Sequence, residues 1–279
     1  MIILGYLSAI LIGLFLGLLG GGGSILTVPI FVYLIGLSTK TSIALSLAVV
    51  GAVSLIGVFK HWKLGNVNFK IVALFSPFAM VGTFFGAKLS KYVSGSFQLI
   101  LFAVVMLIAA VFMFKKNKNS TKKTPSTNEN KKTSYSTKDI LIIATEGIFV
   151  GILTGLVGVG GGFLIVPALV LLTKIPMKEA VGSSLLIISL KSFAGFYGYL
   201  GQVNIDWNFL LIFIAIASVG IFIGTYLIRF ISQAQLKKVF SIFLIIMGVF
   251  ILYKNRNKLF NIKPQSQQST TQLSQQSIA

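Results

Sequence analysis

The chain has 279 residues, of which 55% are hydrophobic and only 10% are charged. A soluble domain of this length needs far more charge to cover its surface, so the composition excludes that class and predicts a polytopic helical membrane protein. The long apolar runs also exclude a transmembrane barrel, whose segments are short and alternate in polarity.

The net charge of +19 does not predict a nucleic-acid partner, because of where the basic residues lie. They flank apolar segments or fall in one central stretch and in the tail, positions at which charge sets membrane topology. The chain has no cysteine and one histidine. Disulfides, thiolate metal sites and a cysteine nucleophile are therefore excluded, and we expect no cofactor and no metal.

In chain order, the first half contains five apolar segments, at about 2–19, 24–37, 41–60, 69–90 and 96–114. The N-terminus lacks a basic region and a small-residue cleavage site, so we interpret the first segment as a retained span. The second half contains five more, at about 140–157, 163–174, 180–200, 208–229 and 236–253.

A polar stretch with eight lysines separates the two halves, and the chain ends in a Gln/Ser-rich tail. Neither composition can form a packed core. The sequence therefore predicts four regions: a first membrane repeat (1–114), a basic flexible linker (115–138), a second membrane repeat (139–254) and a disordered polar tail (255–279).

Two glycine clusters mark the same point in the two halves: Gly20, Gly21, Gly22 and Gly23 in the first, and Gly158, Gly160, Gly161 and Gly162 in the second. A shift of 138 residues superimposes them, and the same shift matches Val28-Pro29 with Val166-Pro167 and Ser46 with Ser184. Self-similarity at a fixed offset indicates an internal repeat.

The apolar segment after each cluster is too short to cross a membrane of about 30 Å. We therefore expect each cluster to join a full helix to a half-helix inside the bilayer. The predicted fold is all-α, with about eight transmembrane spans in two homologous repeats and about five helical pieces in each. The charges flanking the segments favour inverted repeats, whereas the basic residues after Tyr253 favour parallel ones, so both orientations stay open.

Two further signatures carry a family resemblance. The stretches Gly17–Pro29 and Gly155–Pro167 each place a glycine cluster before Val-Pro, and the stretch Gly182–Gly195 is a serine-bearing helix. Together they resemble the TauE/SafE family of sulfite and sulfonate exporters over nearly the whole chain, except for the linker and tail. The resemblance implies a multi-pass permease for small sulfur-containing or organic anions in the plasma (inner) membrane of a bacterium or archaeon.

The glycine clusters are the first candidate site. A half-helix that starts near Ser24 or Phe163 would direct free backbone N–H groups and partial positive charge at the break, and glycine lets an anion approach the backbone. The alternative is close helix packing. We favour anion binding for the clusters, and packing for the four-residue pairs Gly13/Gly17, Gly151/Gly155, Gly82/Gly86 and Gly220/Gly224.

Lys191 is the second candidate, because it lies in the middle of an apolar segment. Burying it there costs at least about 2.5–3.5 kcal/mol, so we expect a role as a substrate anchor or an ion pair with Glu146, which could also relay protons. The first half has Val53 at the matching position. Among the serines, Ser46 and Ser184 rank highest as donors to an anion because they recur in both repeats.

His61 ends an apolar segment beside Trp62. We expect an interfacial side chain there, with a proton switch as the alternative.

The sequence thus predicts a secondary permease for a small anion, with the lipid bilayer as its environment; a homo-oligomer stays open. An anion channel and a non-transporting membrane assembly factor are the alternatives. An enzyme is not expected, because one histidine and few intramembrane carboxylates give no acid–base or metal constellation.

We predict that residues 117–137 are cytoplasmic, because dense lysines disfavour translocation. Since the chain has no cysteine, Ser126→Cys provides a single labelling site. An impermeant maleimide should label it only after the cells are lysed. Ready labelling of intact cells would contradict the prediction.

Overall fold

A computed structural model of the protein describes residues 2–115, 137–157, 162–172 and 175–256. Most of the predicted linker and tail, and Gly158, Gly160 and Gly161, lie outside these residues. The described residues form ten α-helices and no strand, which confirms the predicted all-α class. The helices are α1 Ile2–Leu19, α2 Gly22–Pro29, α3 Thr39–Lys63, α4 Phe69–Leu89, α5 Gly95–Lys115, α6 Thr137–Val157, α7 Gly162–Leu172, α8 Met177–Tyr199, α9 Trp207–Leu227 and α10 Gln233–Lys254.

Each of the ten helices overlaps one predicted apolar segment. Within the described residues, five helices are long and apolar enough to cross a membrane, and they correspond to α3, α4, α8, α9 and α10. Shorter apolar helices accompany them in α1, α2, α5 and α6. The protein is therefore a multi-pass membrane protein.

The first half-helix begins at Gly22 and continues past Pro29 into a π-helical turn, Ile30–Ile35. Proline has no N–H to bond the preceding turn, so the regular α-helical ladder is interrupted there. The turn ends at Gly36, whose φ of +85° is readily adopted only by glycine. Gly23 packs against Ile12 and Leu16, and Ile35 reaches Gly5, so this segment folds back antiparallel along α1.

Helices α3 and α8 form the centre of the bundle and run antiparallel. Gly51 faces Ser192, whereas Gly57, further along α3, faces Leu185, earlier in α8. Of their apolar windows, 78% and 67% are buried, against 35–44% for α4, α9 and α10. The outer helices therefore present apolar side chains to lipid, and α3 and α8 do not.

The two halves exchange helices around this centre. Gly13 and Gly17 of α1 pack on Gly220 and Gly224 of α9, and Gly82 and Gly86 of α4 pack in the same way on Gly151 and Gly155 of α6. In both pairs the contacts advance together along the two helices, so each pair runs parallel. The packing interpretation of these four-residue glycine pairs is confirmed.

Local features recur at the same offset. The side chain of Asn68 caps α4 by accepting from the Ile71 N–H, and Asp206, 138 residues later, caps α9 by accepting from the Phe209 N–H. Gly65 and Gly201, in the loops before these caps, both have positive φ, +72° and +80°.

We expect Gly13→Ala to destabilise the fold, because an added Cβ would collide with the carbonyl group of Ala217. Overpacking of this kind costs about 1–3 kcal/mol, more than the helix-propensity gain of about 1 kcal/mol. Gly5→Ala, on the same helix, is the matched control, since its Cβ would meet only the Ile35 side chain, at 3.3 Å. Thermal unfolding in detergent should separate the two variants; equal midpoints would refute the packing argument.

Candidate functional site

The two chain breaks meet inside the protein. Gly20 has a φ of +63°, which turns the chain sharply between α1 and α2. The next residue, Gly21, contacts the backbone of Gly162, the first residue of α7, so closely that a Cβ on either would overlap the other. The structure therefore brings the described members of both glycine clusters together.

Helix α8 lies along both breaks. A Cβ on Gly20 would lie 2.6 Å from the Ser184 hydroxyl, and Ile188, one turn further along α8, contacts Gly162. Lys191 follows at the next turn of the same face, given the four- and three-residue spacings. One face of α8 thus carries the serine, the contact with the second break and the lysine.

Lys191 is completely buried. Its Nζ donates to the Thr154 hydroxyl of α6 at 2.8 Å. Thr154 donates in turn to the Gly151 carbonyl of its own helix at 3.1 Å. Because Thr154 precedes Gly158 by only four residues, about 6 Å of helix, the ammonium lies close to the second break.

Acidic side chains lie elsewhere. Glu179 accepts from Asn68 Nδ2 at 2.7 Å, and Asp206 caps α9. Glu146 is eight residues before Thr154 on α6, about 12 Å along the helix. In the described part of the chain Glu146 forms no ion pair with Lys191, so the structure does not bring these two residues together.

Glu146 instead lines a side cavity of about 600 Å³ between α5, α6 and α7. The other lining residues are apolar, and Leu153 and Val105 are among them. The residues 138 positions away, Phe15 and Phe243, stack at 5.0 Å between ring centroids and fill the corresponding place in the other half. Replacing two aromatic rings with smaller aliphatic side chains accounts for the cavity.

The buried hydroxyls fall into two groups. Ser24 donates to the Gly21 carbonyl at 2.6 Å and Ser184 to the Val181 carbonyl at 2.8 Å, so both are satisfied within their own helices. By contrast, the hydroxyl groups of Ser46, Ser54, Ser189 and Ser192 in α3 and α8 are buried without a partner. A serine in a helix can usually bond a carbonyl one turn back, so these four hydroxyls remain free to bind something else.

His61 is also fully buried, which differs from the expected interfacial side chain. Its Nε2 lies 3.2 Å from the Gly17 carbonyl oxygen, while its Nδ1 is buried without a partner. The ring therefore connects the end of α3 to the last turn of α1, just before the first break.

Comparison with known proteins agrees with this architecture. The model of the family described as "Sulfite exporter TauE/SafE" matches residues 5–251. The chain belongs to the TauE/SafE family. No solved structure matches it significantly.

Curated relatives of this TauE/SafE protein carry transporter names. A "Probable membrane transporter protein" of Xylella fastidiosa is 29% identical over 88% of this chain and 92% of its own. The "Probable membrane transporter protein YdhB" of Bacillus subtilis is 26% identical over 87% of this chain and 97% of its own. A similarly named Methanocaldococcus jannaschii protein, MJ0441, is 37% identical over 40% of this chain. The family and these names support a membrane transporter.

Sequence reasoning missed Thr154 and the partner of His61. A residue-by-residue comparison of the repeats contained a signal for Thr154, because both members of the Lys191–Thr154 pair depart from the repeat. The first half has Val53 opposite Lys191 and Leu16 opposite Thr154. The matched departures indicate a polar contact that exists in one half alone.

We expect Thr154→Val to destabilise the protein by about 1–3 kcal/mol or more, because it removes the described partner of a buried ammonium group. In a Lys191→Met background the same change should cost much less, since no charge then needs the hydroxyl. Thermal unfolding of the two single variants and the double variant measures the coupling. An equal cost of Thr154→Val in both backgrounds would show that the contact contributes nothing.

Proposed function

We propose that this protein is a secondary transporter for a small anion, such as sulfite, an organosulfonate or a related sulfur-containing or organic anion, in the plasma membrane of a bacterium or archaeon. Lys191 is the electrostatic anchor of the substrate. The glycine breaks and the free hydroxyls of α3 and α8 complete the site. No catalytic role is assigned to any residue, in keeping with the transporter names of the relatives.

The observation that carries this proposal is the full burial of Lys191 with a neutral hydroxyl as its described partner. A lysine in the apolar interior costs several kcal/mol unless a negative group compensates it. The acids with described side chains lie elsewhere, so a bound anion is the natural counter-charge. The ammonium would supply attraction, and the serines would donate hydrogen bonds to oxyanion oxygens.

The helix ends at the breaks make a smaller contribution. The N-termini of α2 and α7 adjoin each other at Gly21 and Gly162, which concentrates partial positive charge. The C-terminus of α1 lies beside the N-terminus of α2 and offsets part of it. The full charge of Lys191 is not offset in this way, so it dominates the attraction for an anion.

The contacts support two inverted repeats. Under the offset of 138, α3 corresponds to α8, and these two helices pack antiparallel. Equivalent elements can run antiparallel in contact only if the axis that relates the halves is perpendicular to them. Glycine clusters that are equivalent and in contact must lie on that axis, which places the breaks near the middle of the membrane.

The distribution of charge agrees with a cytoplasmic linker. Because α4 runs parallel to α6, both begin on the linker side, and therefore α3 and α9 end there. The connections on that side carry six basic residues and no acid: Lys60, Lys63, Lys70, Arg229, Lys237 and Lys238. The α4–α5 and α8–α9 connections on the far side carry Lys88, Lys91 and Asp206. This is the asymmetry expected if the linker side faces the cytoplasm.

Alternating access follows from this arrangement. Each half contributes a glycine-broken hairpin to the axis, and rocking one half against the other would expose the breaks first to one face and then to the other. The anion gradient, the membrane potential or protons would supply the energy. An anion channel would use the same site without the rocking motion, and its flux would not saturate with substrate.

The decisive experiment measures radiolabelled sulfite and sulfonate flux in vesicles that contain only this protein. We expect Lys191→Met to fold and insert but to raise the substrate KM at least about tenfold, equivalent to about 1.4 kcal/mol of lost anion attraction. Lys191→Arg should recover part of the affinity, because it keeps the charge on a larger, forked group. Lys178→Met, at the end of the same helix, is the matched control and should transport normally.

The outcomes separate the alternatives. If no anion moves in these vesicles although the protein is folded, an assembly factor becomes the better assignment. If Lys191→Met combined with Glu146→Gln recovers full flux, Lys191 serves to neutralise Glu146 and the anchor role is wrong.

A further inference from the structure

The central helices of the two halves end in the same kind of contact. His61, in the last turn of α3, lies with its Nε2 3.2 Å from the Gly17 carbonyl oxygen. Tyr199, the last residue of α8, donates its hydroxyl to the Gly155 carbonyl oxygen at 3.2 Å. Both the ring residues and the glycines are separated by 138 positions. We call these the first end contact, His61–Gly17, and the second end contact, Tyr199–Gly155.

Each end contact adjoins a chain break. Gly17 precedes Gly20 by three residues, and Gly155 precedes Gly158 by three. Both rings are fully buried, so each contact joins the helix turn before a break to the end of a central helix. Because α3 and α8 run antiparallel, the two contacts lie at opposite ends of the bundle. Opening either contact would free the chain on one side of the breaks only.

The two contacts differ in their chemistry near neutral pH. A tyrosine hydroxyl has an ordinary pKa near 10 and does not titrate there, whereas histidine changes charge between about pH 5 and 8. The Gly17 carbonyl can only accept, so Nε2 carries the hydrogen in the first end contact. The free Nδ1 is then the atom that can take a proton.

A proton on Nδ1 would disfavour the contact seen in this structure. Nδ1 is buried without a partner, so protonation would leave a charged N–H group with no acceptor around it. A buried charged group without a partner costs several kcal/mol, and the cost falls when the ring moves to water or to an acceptor. Protonated His61 therefore favours an open first end contact.

The elements around His61 contain few charged groups. Helices α1, α2 and α9 carry no charged side chain, and their tyrosines are Tyr6, at the far end of α1, and the exposed Tyr226. The π-helical turn with Tyr33 and the start of α5 meet α3 near its other end. The charged groups of α8 and of α3 itself are Lys178, Glu179, Lys191, Lys40, Lys60 and Lys63. Lys60 and Lys63 lie over the rings of Phe222 and Phe59, and Glu179 is bound by Asn68.

We infer that His61 is the proton-binding residue that couples transport to pH on the linker side of the membrane. This inference rests on the proposed transport function and names its coupling ion. Proton uptake at Nδ1 opens the first end contact and admits water or substrate from that side. The second end contact, built on tyrosine, responds to substrate and not to pH.

The test exchanges the two rings. His61→Tyr places in the first end contact the residue that already makes the second, so it should fold and keep the contact but lose the titration. His61→Gln is a second non-titrating variant, whose amide N–H can also donate to Gly17. Tyr199→His should make transport sensitive to pH at the far side as well. Flux is measured in vesicles with the pH set separately on each side.

The probe is an alkanesulfonate, because its charge stays constant between about pH 5 and 8, the range in which histidine titrates. We expect wild-type flux to follow a one-proton transition with the pH on the linker side. That transition should be absent in both His61 variants, while flux at the optimum is retained. An unchanged pH dependence in both variants, or a wild-type flux independent of pH on the linker side, would overturn the inference.

A second readout does not depend on transport. Trp62 neighbours His61, and Trp207 is the other tryptophan of the chain, so Trp207→Phe leaves Trp62 as the single fluorescent reporter. Its emission should titrate with pH and lose that titration when His61→Tyr is added. If the fluorescence behaves so but no anion is transported, the proton site stands and the proposed function fails. If anions are transported but the fluorescence never titrates, the proposed function stands and this inference fails.

Discussion

The backbone contact between Gly21 and Gly162 is the constraint on which the rest of the structure depends. The chain segments meet so closely there that neither position has room for a methyl group. The close approach brings the two broken hairpins together, positions the N-termini of α2 and α7 beside each other and leaves α8 along both breaks. Lys191 then lies within two turns of the contact between Gly162 and Ile188.

The sequence predicted the elements of this fold well, because hydrophobic runs and glycine breaks are local signals. All ten helices overlap predicted segments, and the helix after the first cluster starts at Gly22, two residues before the expected Ser24. The pairing of α1 with α9 and of α4 with α6 could not be predicted, because small-residue pairs mark a packing surface without naming its partner. The four glycine pairs were recognised as packing residues, but which pair meets which is a tertiary property.

The candidate site was only partly accessible for the same reason. The depth of Lys191 in its segment follows from residue counting, whereas its contact with Thr154 requires knowledge of how α6 packs on α8. The ranking of serines by their recurrence in both repeats was a weaker guide. Ser184 recurs but bonds its own helix, whereas Ser46 recurs and leaves its hydroxyl free. Side-chain rotamers decide that difference, and a sequence pattern does not encode them.

The two halves share a scaffold, and the chemistry lies where they differ. A symmetric lysine pair would be costly, because Val53, the counterpart of Lys191, also lies near the crossing of α3 and α8. Two ammonium groups about 8 Å apart at an effective dielectric constant of about 20 repel each other by about 2 kcal/mol, in addition to the burial of a second charge. One lysine avoids this repulsion and still lies near the axis, where both rocked states of the repeats can reach it. A single cation on a two-fold scaffold is therefore the arrangement that lets one bound anion face either side.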